Sequence, residues 1–335
     1  MYISLSNYKV ISVSGKSTGE IIDYGVKMVG APLEWSETMG EGIRVGIIDT
    51  GIDTDHPDLK NRIKKCADFT GTGRDNVEDE NGHGTHVAGI IAAERNKIGV
   101  IGVAPKADLY VAKAFGKDGK TEFSSVIKSI NWLVENKVQV INMSFSSPAT
   151  TKQYAALVSE VSKRGITMVC AAGNEGEKAF DNIGYPANYP ETIAVTAVDV
   201  NKHITDFSSV GRAAEISAAG KDIYSTYLDG TYATLSGTSM ATPIITGAVA
   251  ILQAKGLIRY GRFLTPDEIR LLLNIYTEQV GKRGRNNQYG YGVFSFGRIG
   301  DEDIIEKSAS INKYITSEES DNNILDMLIA MLVTK

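Results

Sequence analysis

Apolar residues gather in five short blocks along the chain: RVGIIDTG (44–51), ADLYVAKAF (107–115), VQVINMSF (138–145), ITMVCAAGN (166–174) and TIAVTAVD (192–199). Each is bounded by turn-forming residues, which reads as a strand buried on both faces. Between the blocks the period changes. EFSSVIKSINWLVENK (122–137) sets Phe123, Val126, Ile127, Ile130 and Leu133/Val134 at helical spacing, and YAALVSEVSKRG (154–165) repeats it up to a glycine stop. Alternating strands and helices predict crossover units and a mostly parallel sheet covered on both faces. Ligands in such sheets bind beyond the carboxyl ends of the strands. Asp49, Ser144 and Asn174, which end the first, third and fourth blocks, are therefore candidate site residues.

Composition adds boundaries to this picture. The chain has 335 residues, 42% apolar and 22% charged, enough for a large core, and no repeat or linker interrupts it before about residue 299. Residues 1–18 read as a short N-terminal extension, 19–299 as one domain, and 300–335 as an acidic tail ending in a helix-like segment. A net charge of −5 leaves no footprint for nucleic acid or anionic lipid. No apolar run reaches the roughly 20 residues that span a bilayer. The start of the chain lacks a secretory pattern, and the two cysteines, Cys66 and Cys170, are too few for a disulfide framework. A reducing, cytoplasmic setting is the expectation.

The stretch LSGTSMATP (235–243) puts Ser239 in a setting of small residues. A serine hydroxyl needs a neighbouring base to become a nucleophile, and histidine is the usual one. Of the four histidines, His56 precedes a proline in a turn-like DTDHPD and His203 lies in a polar loop. His83 and His86 share NGHGTHVAGIIAAE (81–94), which reads as a loop opening into a helix. Glycines flank His83 and leave its ring approachable, whereas His86 falls deeper in the helix and reads as a core histidine. Asp49 is placed to orient His83. Singly, each has a plainer reading: Asp49 as a turn former, His83 as a helix-start residue, Ser239 as an N-cap.

Together, DTGIDTDHPDLK, NGHGTHVAG and GTSMATP resemble the signatures of the subtilisin-like serine proteases, in the order Asp, His, Ser. GVIGVAP (99–105), VINMS (140–144), AAGNEG (171–176), YPANYP (185–190) and NNQYGYGVF (286–294) extend the resemblance from about Glu20 to Ile299. It is strongest to the intracellular subtilisins. The resemblance implies a three-layer subtilisin-like α/β fold and an endopeptidase of broad specificity acting on polypeptides through an acyl-enzyme. Asp49, His83 and Ser239 would be its triad and Asn174 a side-chain donor to the oxyanion. The peptide would lie extended along 119–121 and 144–146, with Gly119, Ser144, Phe145, Ser146 and Gly184 lining its pockets. Phe145 and Ser146 depart from the family's usual leucine and glycine, and Ile244 replaces a histidine after Pro243. Intracellular relatives often carry an inhibitory N-terminal segment with a proline; ISLSNYKVIS (3–12) has none, which leaves self-inhibition open.

The resemblance also implies calcium, a hard cation that takes oxygen ligands. Asp58 and Asn96 would ligate through side chains, Glu94, Ile98 and Val100 through carbonyls, and Glu20 would contribute. A second, weaker site would use carbonyls of Ala187, Tyr189 and Thr192. RDNVEDENG (74–82) reads as a solvated acidic loop. Three roles fit the terminal segment 322–334: covering an apolar patch, supporting a homodimer, or binding the cleft. Two rival functions stay open at this point. One is a binding protein that keeps the fold without the activity; the other is a metal hydrolase using His83 and His86, for which no third ligand is arranged.

Overall fold

All five apolar blocks form strands, and the five are consecutive neighbours in one sheet. The computed structural model describes residues 2–17, 19–71, 76–176, 180–282 and 284–297; the tail from 300 onward, and with it the terminal segment 322–334 for which three roles stayed open, lies outside them. Two short strands, β1 (Tyr2–Ser4) and β2 (Lys9–Ser14), precede two short helices, α1 (Tyr24–Met28) and α2 (Ala31–Glu34). Then follow β3 (Arg44–Asp49), β4 (Ile63–Asp68), α3 (His83–Ala92), β5 (Asp108–Lys113), β6 (Lys120–Glu122) and α4 (Phe123–Glu135). β7 (Val140–Met143), α5 (Lys152–Lys163), β8 (Thr167–Ala171) and β9 (Ile193–Val198) continue the alternation. The last part holds β10 (Ala214–Ala219), β11 (Ile223–Tyr227), β12 (Thr231–Ser236), α6 (Thr238–Tyr260), α7 (Pro266–Ile275), β13 (Thr277–Glu278) and β14 (Val293–Phe294).

The main sheet runs β13-β14-β10-β9-β8-β7-β3-β5-β4 and is parallel except for the β13–β14 pair. Its pleat sends alternate side chains into two apolar cores. Val45, Ile47, Val140 and Val169 meet α3 and α6 on one face, while Ile48, Ile141, Met143, Met168 and Cys170 meet α4 and α5 on the other. This is the three-layer α/β arrangement expected. α6 is apolar on every side and is buried from Thr238 through Gly256, as an all-round apolar helix must be. Among the described residues it is the one helix long and apolar enough to cross a membrane, and it forms the core instead.

Two smaller sheets sit beside the ends of the main strands. β1 pairs antiparallel with β6, and Ser4 also bridges Ser146. β2 pairs antiparallel with β12, which joins β11. The N-terminal extension thus runs across the molecule as an added strand in two arms.

Candidate active site

Asp49 closes β3, an interior strand of the sheet, and is fully buried, as is His83, the first residue of α3. Their side chains meet with His83 Nδ1 2.7 Å from Asp49 Oδ1. Thr50 N–H also donates to that oxygen, at 2.8 Å. The glycines around His83 make this contact possible in a way the sequence did not show. A Cβ on Gly84 would stand 2.2 Å from Gly51 O and 3.2 Å from the Asp49 Cβ, so glycine alone lets α3 start against the turn after β3. Gly82 has φ +98° and lies against the Tyr227 ring. Their role is close packing, rather than access to the imidazole.

Gly82 offers α3 no side-chain cap; Asp79 supplies one from outside. Asp79 Oδ1 accepts from Thr50 Oγ1 (2.8 Å), Asn81 N (3.0 Å) and Gly82 N (2.9 Å), and Oδ2 from Thr85 N (2.9 Å) and Thr85 Oγ1 (2.8 Å). A buried carboxylate at a helix N-terminus satisfies orphan N–H groups and suits the positive end of the dipole. Thr50 Oγ1 in turn accepts from Gly84 N at 2.9 Å. Asp79 thereby ties the Asp49 turn to the helix that carries His83. The acidic stretch read as a solvated loop therefore contains a structural carboxylate. Lys113, buried beside Asp49 in register, donates to Glu78 O at 2.6 Å and holds the same loop.

Ser239 is the second residue of α6. Pro243, four residues on, has no N–H, so the Ser239 carbonyl loses its helical partner. The Ser144 hydroxyl replaces it, donating to Ser239 O at 3.0 Å. Thr246 Oγ1 donates to Asn142 Oδ1 (2.8 Å) and Asn142 Nδ2 to Ser144 Oγ (2.9 Å), which orients that hydroxyl. Ile244, standing where relatives have histidine, is buried against Gly25 of α1 and needs no polar partner. Asn174 follows β8, and its Oδ1 accepts from Thr238 N (2.9 Å) and Thr238 Oγ1 (2.8 Å). Those two bonds fix the amide with Nδ2 toward the cleft. Thr238 and Asp79 are the supporting residues that sequence reasoning missed; no pattern short of the fold points to them.

The cleft is filled by the chain's own N-terminus. β1 lies on β6, Leu5 N donates to Gly119 O at 2.8 Å, and Asn174 Nδ2 donates to the Asn7 carbonyl at 3.0 Å. Ile3 and Leu5 are buried in the cluster that holds Phe115, Phe123, Val126 and Phe145. The Tyr8 ring covers His83, 4.7 Å between centroids, and its Cβ approaches Gly237, which precedes α6. Gly119 thus accepts from Leu5, Ser146 bridges Ser4, and Phe145 shares the apolar cluster of Ile3 and Leu5. In this state Ser239 Oγ donates to Ser144 O at 2.9 Å, and His83 Nε2 is buried without a partner among the described residues. Asp49 and His83 are joined, and Ser239 bonds Ser144 O rather than His83. The strand is also out of step. Continuing the Ser4–Ser146 pairing places Ser6 opposite Ser144, yet the carbonyl on the Asn174 amide is that of Asn7.

His86 is a core residue, its Nε2 3.1 Å from both Ile223 O and Ala233 O, and burial pushes its pKa down to about 3. Among the described residues no group of three or more His, Cys, Asp or Glu is placed to hold a metal. The calcium set implied earlier is built mainly of carbonyl and amide oxygens. Asp58 is fully buried, with Oδ1 2.9 Å from Asn96 Nδ2 and Oδ2 accepting from Val100 N and Tyr232 OH at 3.0 Å. Glu20 Oε1 accepts from the N–H groups of Asn96 and Lys97. A buried carboxylate wrapped by an oxygen-rich loop has the chemistry calcium prefers, once the Asn96 amide turns its oxygen inward. The second set does not fit. Thr192 O receives the Arg270 guanidinium at 2.9 Å, which brings a positive charge to the spot, and Tyr189 O is taken by Thr192.

Comparison with known proteins agrees with this geometry. The subtilase family model matches residues 40–292. The intracellular serine protease of Paenibacillus polymyxa is 42% identical over 253 residues, 74% of this chain and 78% of that protein. The major intracellular serine protease of Bacillus subtilis is 40% identical, over 73% of this chain and 79% of its own length. Subtilisin DY of Bacillus licheniformis is 42% identical over 70% and 86%. With a subtilisin-type sheet and a buried Asp–His pair beside a serine-bearing helix, the chain belongs to the subtilase family and is a serine endopeptidase.

Proposed function

We propose that Ser239 is the nucleophile, His83 its general base and Asp49 the orienting carboxylate of a cytoplasmic endopeptidase whose residues 2–8 block its own cleft. The observation that carries this reading is the Asn174 amide, locked by Thr238 and donating to a peptide carbonyl. That is the group on which negative charge develops in acyl transfer.

In the reaction Ser239 Oγ turns from Ser144 O to His83 Nε2 and attacks the scissile carbonyl carbon while the imidazole takes its proton. Asp49 keeps the other proton on Nδ1 and stabilises the imidazolium. The tetrahedral oxyanion is held by Asn174 Nδ2 and by the Ser239 N–H in the first turn of α6, its neighbours Thr238 N and Met240 N being bonded to Asn174 Oδ1 and Gly237 O. His83 then protonates the leaving amine. Water, deprotonated by the same imidazole, releases the acyl group and restores Ser239. Main-chain pairing to β6 and Ser146 reads no side chain, which supports broad selection among extended polypeptides.

The names of the Paenibacillus and Bacillus relatives support the intracellular setting. Asp58, Asn96, Glu20 and the carbonyls of Glu94, Ile98 and Val100 would hold calcium, which when bound would tie the 94–100 loop to the N-terminal part of the domain. The test is Ser239→Ala. Casein hydrolysis and labelling by a fluorophosphonate should both vanish with the fold intact; turnover equal to wild type would overturn the assignment.

A further inference from the structure

The blocking strand does not end at the catalytic residues. Beyond Asn7, whose carbonyl lies on the Asn174 amide, and Tyr8, which covers His83, the chain enters β2 and runs antiparallel to β12. Lys9 stands opposite Ser236, Val10 opposite Leu235, Ser12 opposite Thr234, Val13 opposite Ala233 and Ser14 opposite Tyr232, with Ile11 bulged out of the ladder. One path therefore joins the acyl side of the cleft to the edge of a second sheet.

All six residues of β2 are exposed. Its hold on β12 is the main-chain ladder, with the Ser14 hydroxyl 2.9 Å from Tyr224 OH as a further contact. β12 is fixed from the other side, since Tyr232, Ala233 and Leu235 are buried and every residue of β11 pairs with it. In the order β11-β12-β2 the arm is the outermost strand. Once it leaves, β12 presents a fixed row of unpaired N–H and C=O groups, the template on which another extended chain adds.

We propose that the free edge of β12 binds the leaving-group side of long unfolded polypeptides, pairing with the residues that follow the cleaved bond as Lys9–Ser14 follow Asn7. This rests on the assignments of Ser239 and of the blocking strand above. The ladder reads backbone, so it admits most side chains in extended form and refuses proline. A short peptide does not span it, and a folded chain does not lay it out.

The experiment compares kcat and KM for a pair of amidated peptides with the same residues up to the cleaved bond. One stops at the residue matching Lys9; the other continues through the residue matching Ser14 in the order of this chain. The enzyme is the full chain with Ile3→Ser and Leu5→Ser to open the cleft, and Ser12→Pro and Val13→Pro to detach β2. Prolines at successive positions remove a ladder N–H whichever of the two faces β12. Each net main-chain hydrogen bond is worth a few-fold in affinity, so the longer peptide should gain about tenfold or more in kcat/KM, through KM with kcat unchanged, as uniform binding does. Scrambling the added residues should keep the gain, and successive prolines among them should abolish it. The gain should persist, no larger, in Ile3→Ser with Leu5→Ser alone, where the arm competes for the edge; that measurement stands if the prolines unfold the protein. Values for the two peptides within about twofold of each other in both proteins, or a gain lost on scrambling, would overturn the proposal. Dimerisation of the detached variant in sedimentation, with no gain for the longer peptide, would assign the edge to a second copy and overturn it likewise. Cleavage independent of Ser239, or a detached variant no faster than wild type on the shorter peptide, would overturn the assignments beneath it, which are distinct outcomes.

Discussion

If the N-terminal strand blocks the cleft, weakening its anchors must raise activity, a result that loss of a structural element would not produce. The anchors are Ile3 and Leu5, 1% and 8% exposed in the apolar cluster under β6. Burying an aliphatic side chain of this size is worth about 1.5–3 kcal/mol, so Ile3→Ser with Leu5→Ser removes about 3–6 kcal/mol from the closed state. The backbone bonds to Gly119, Ser146 and Asn174 are left in place. About 1.4 kcal/mol is a factor of ten, so the open fraction should rise by about 10²-fold or more until it saturates near one.

The assay is the initial rate of chromogenic peptide hydrolysis on freshly prepared full-length protein, taken before intact-mass measurement detects trimming. The double variant should start fast, while wild type should show a slow start that accelerates. Val13→Ser on the exposed β2 arm, where Val13 is 57% exposed, is the control and should behave like wild type. Equal starting rates for wild type and the double variant, with equal thermal stability, would refute the blocking role.

Four further outcomes follow from the site. Asp79→Ala strands donors of Gly82, Thr85 and Thr50 and should destabilise the fold in urea unfolding by about 1–3 kcal/mol for each buried donor left unpaired, with kcat falling because His83 opens the same helix. Ser144→Ala leaves the Ser239 carbonyl and Asn142 Nδ2 unpaired, at about 1–3 kcal/mol each; adding Pro243→Ala restores a helical N–H for that carbonyl, and failure of this rescue would sink the explanation of the proline. Chelation of calcium should lower the midpoint of thermal unfolding in wild type and leave an Asp58→Ala variant unmoved; a site saturated about 100-fold over its dissociation constant contributes about 2.7 kcal/mol. Burial holds His86 neutral down to about 3 against an ordinary 6.5, so the unfolded chain binds a proton that the folded one refuses and stability falls as pH drops through that window. Burial raises Asp23 to about 6 from 3.8, which has the opposite sign because the folded chain binds the extra proton. The two slopes cancel across their overlap. Asp23→Asn should expose the His86 slope, an added loss of about 2 kcal/mol between about pH 6 and about pH 4.5, and urea unfolding at the two pH values with no added loss would contradict it.

Much of the site was legible because chemistry at strand ends leaves a linear trace. Asp49, Ser144 and Asn174 each end an apolar run, and every such run became a strand of the main sheet. His83 emerged by elimination among four histidines, and His86 and Cys170 proved to be core residues as read. Other features left no trace. β10 is AEISAA, whose small residues carry little strand signal, and β4 is an edge strand of mixed polarity, IKKCAD. Asp79 looks like one more acid in an acidic loop, and only the fold brings its donors together. The glycines beside His83 were legible as special, but the reason, contact with Gly51 and Tyr227, belongs to residues distant in sequence or hidden by the turn.

The resting and reactive states of this site differ by less than the buried strand suggests. Asp49–His83 is already joined, the Asn174 amide already aims its nitrogen at a peptide carbonyl, and Ser144 with Asn142 already holds the carbonyl of Ser239. What is missing is a Ser239–His83 bond, since the Ser239 hydroxyl donates to Ser144 O instead, and a peptide in step with it. Tyr8 lies over His83 while the strand presents Asn7, one residue beyond Ser6, to the oxyanion donor. On the proposed assignment, latency resides in a register offset and a misdirected hydroxyl rather than in an unformed catalytic framework. A peptide that pairs with β6 and Ser146 and carries no residue to cap His83 meets a framework already set once Ile3, Leu5 and Tyr8 are displaced.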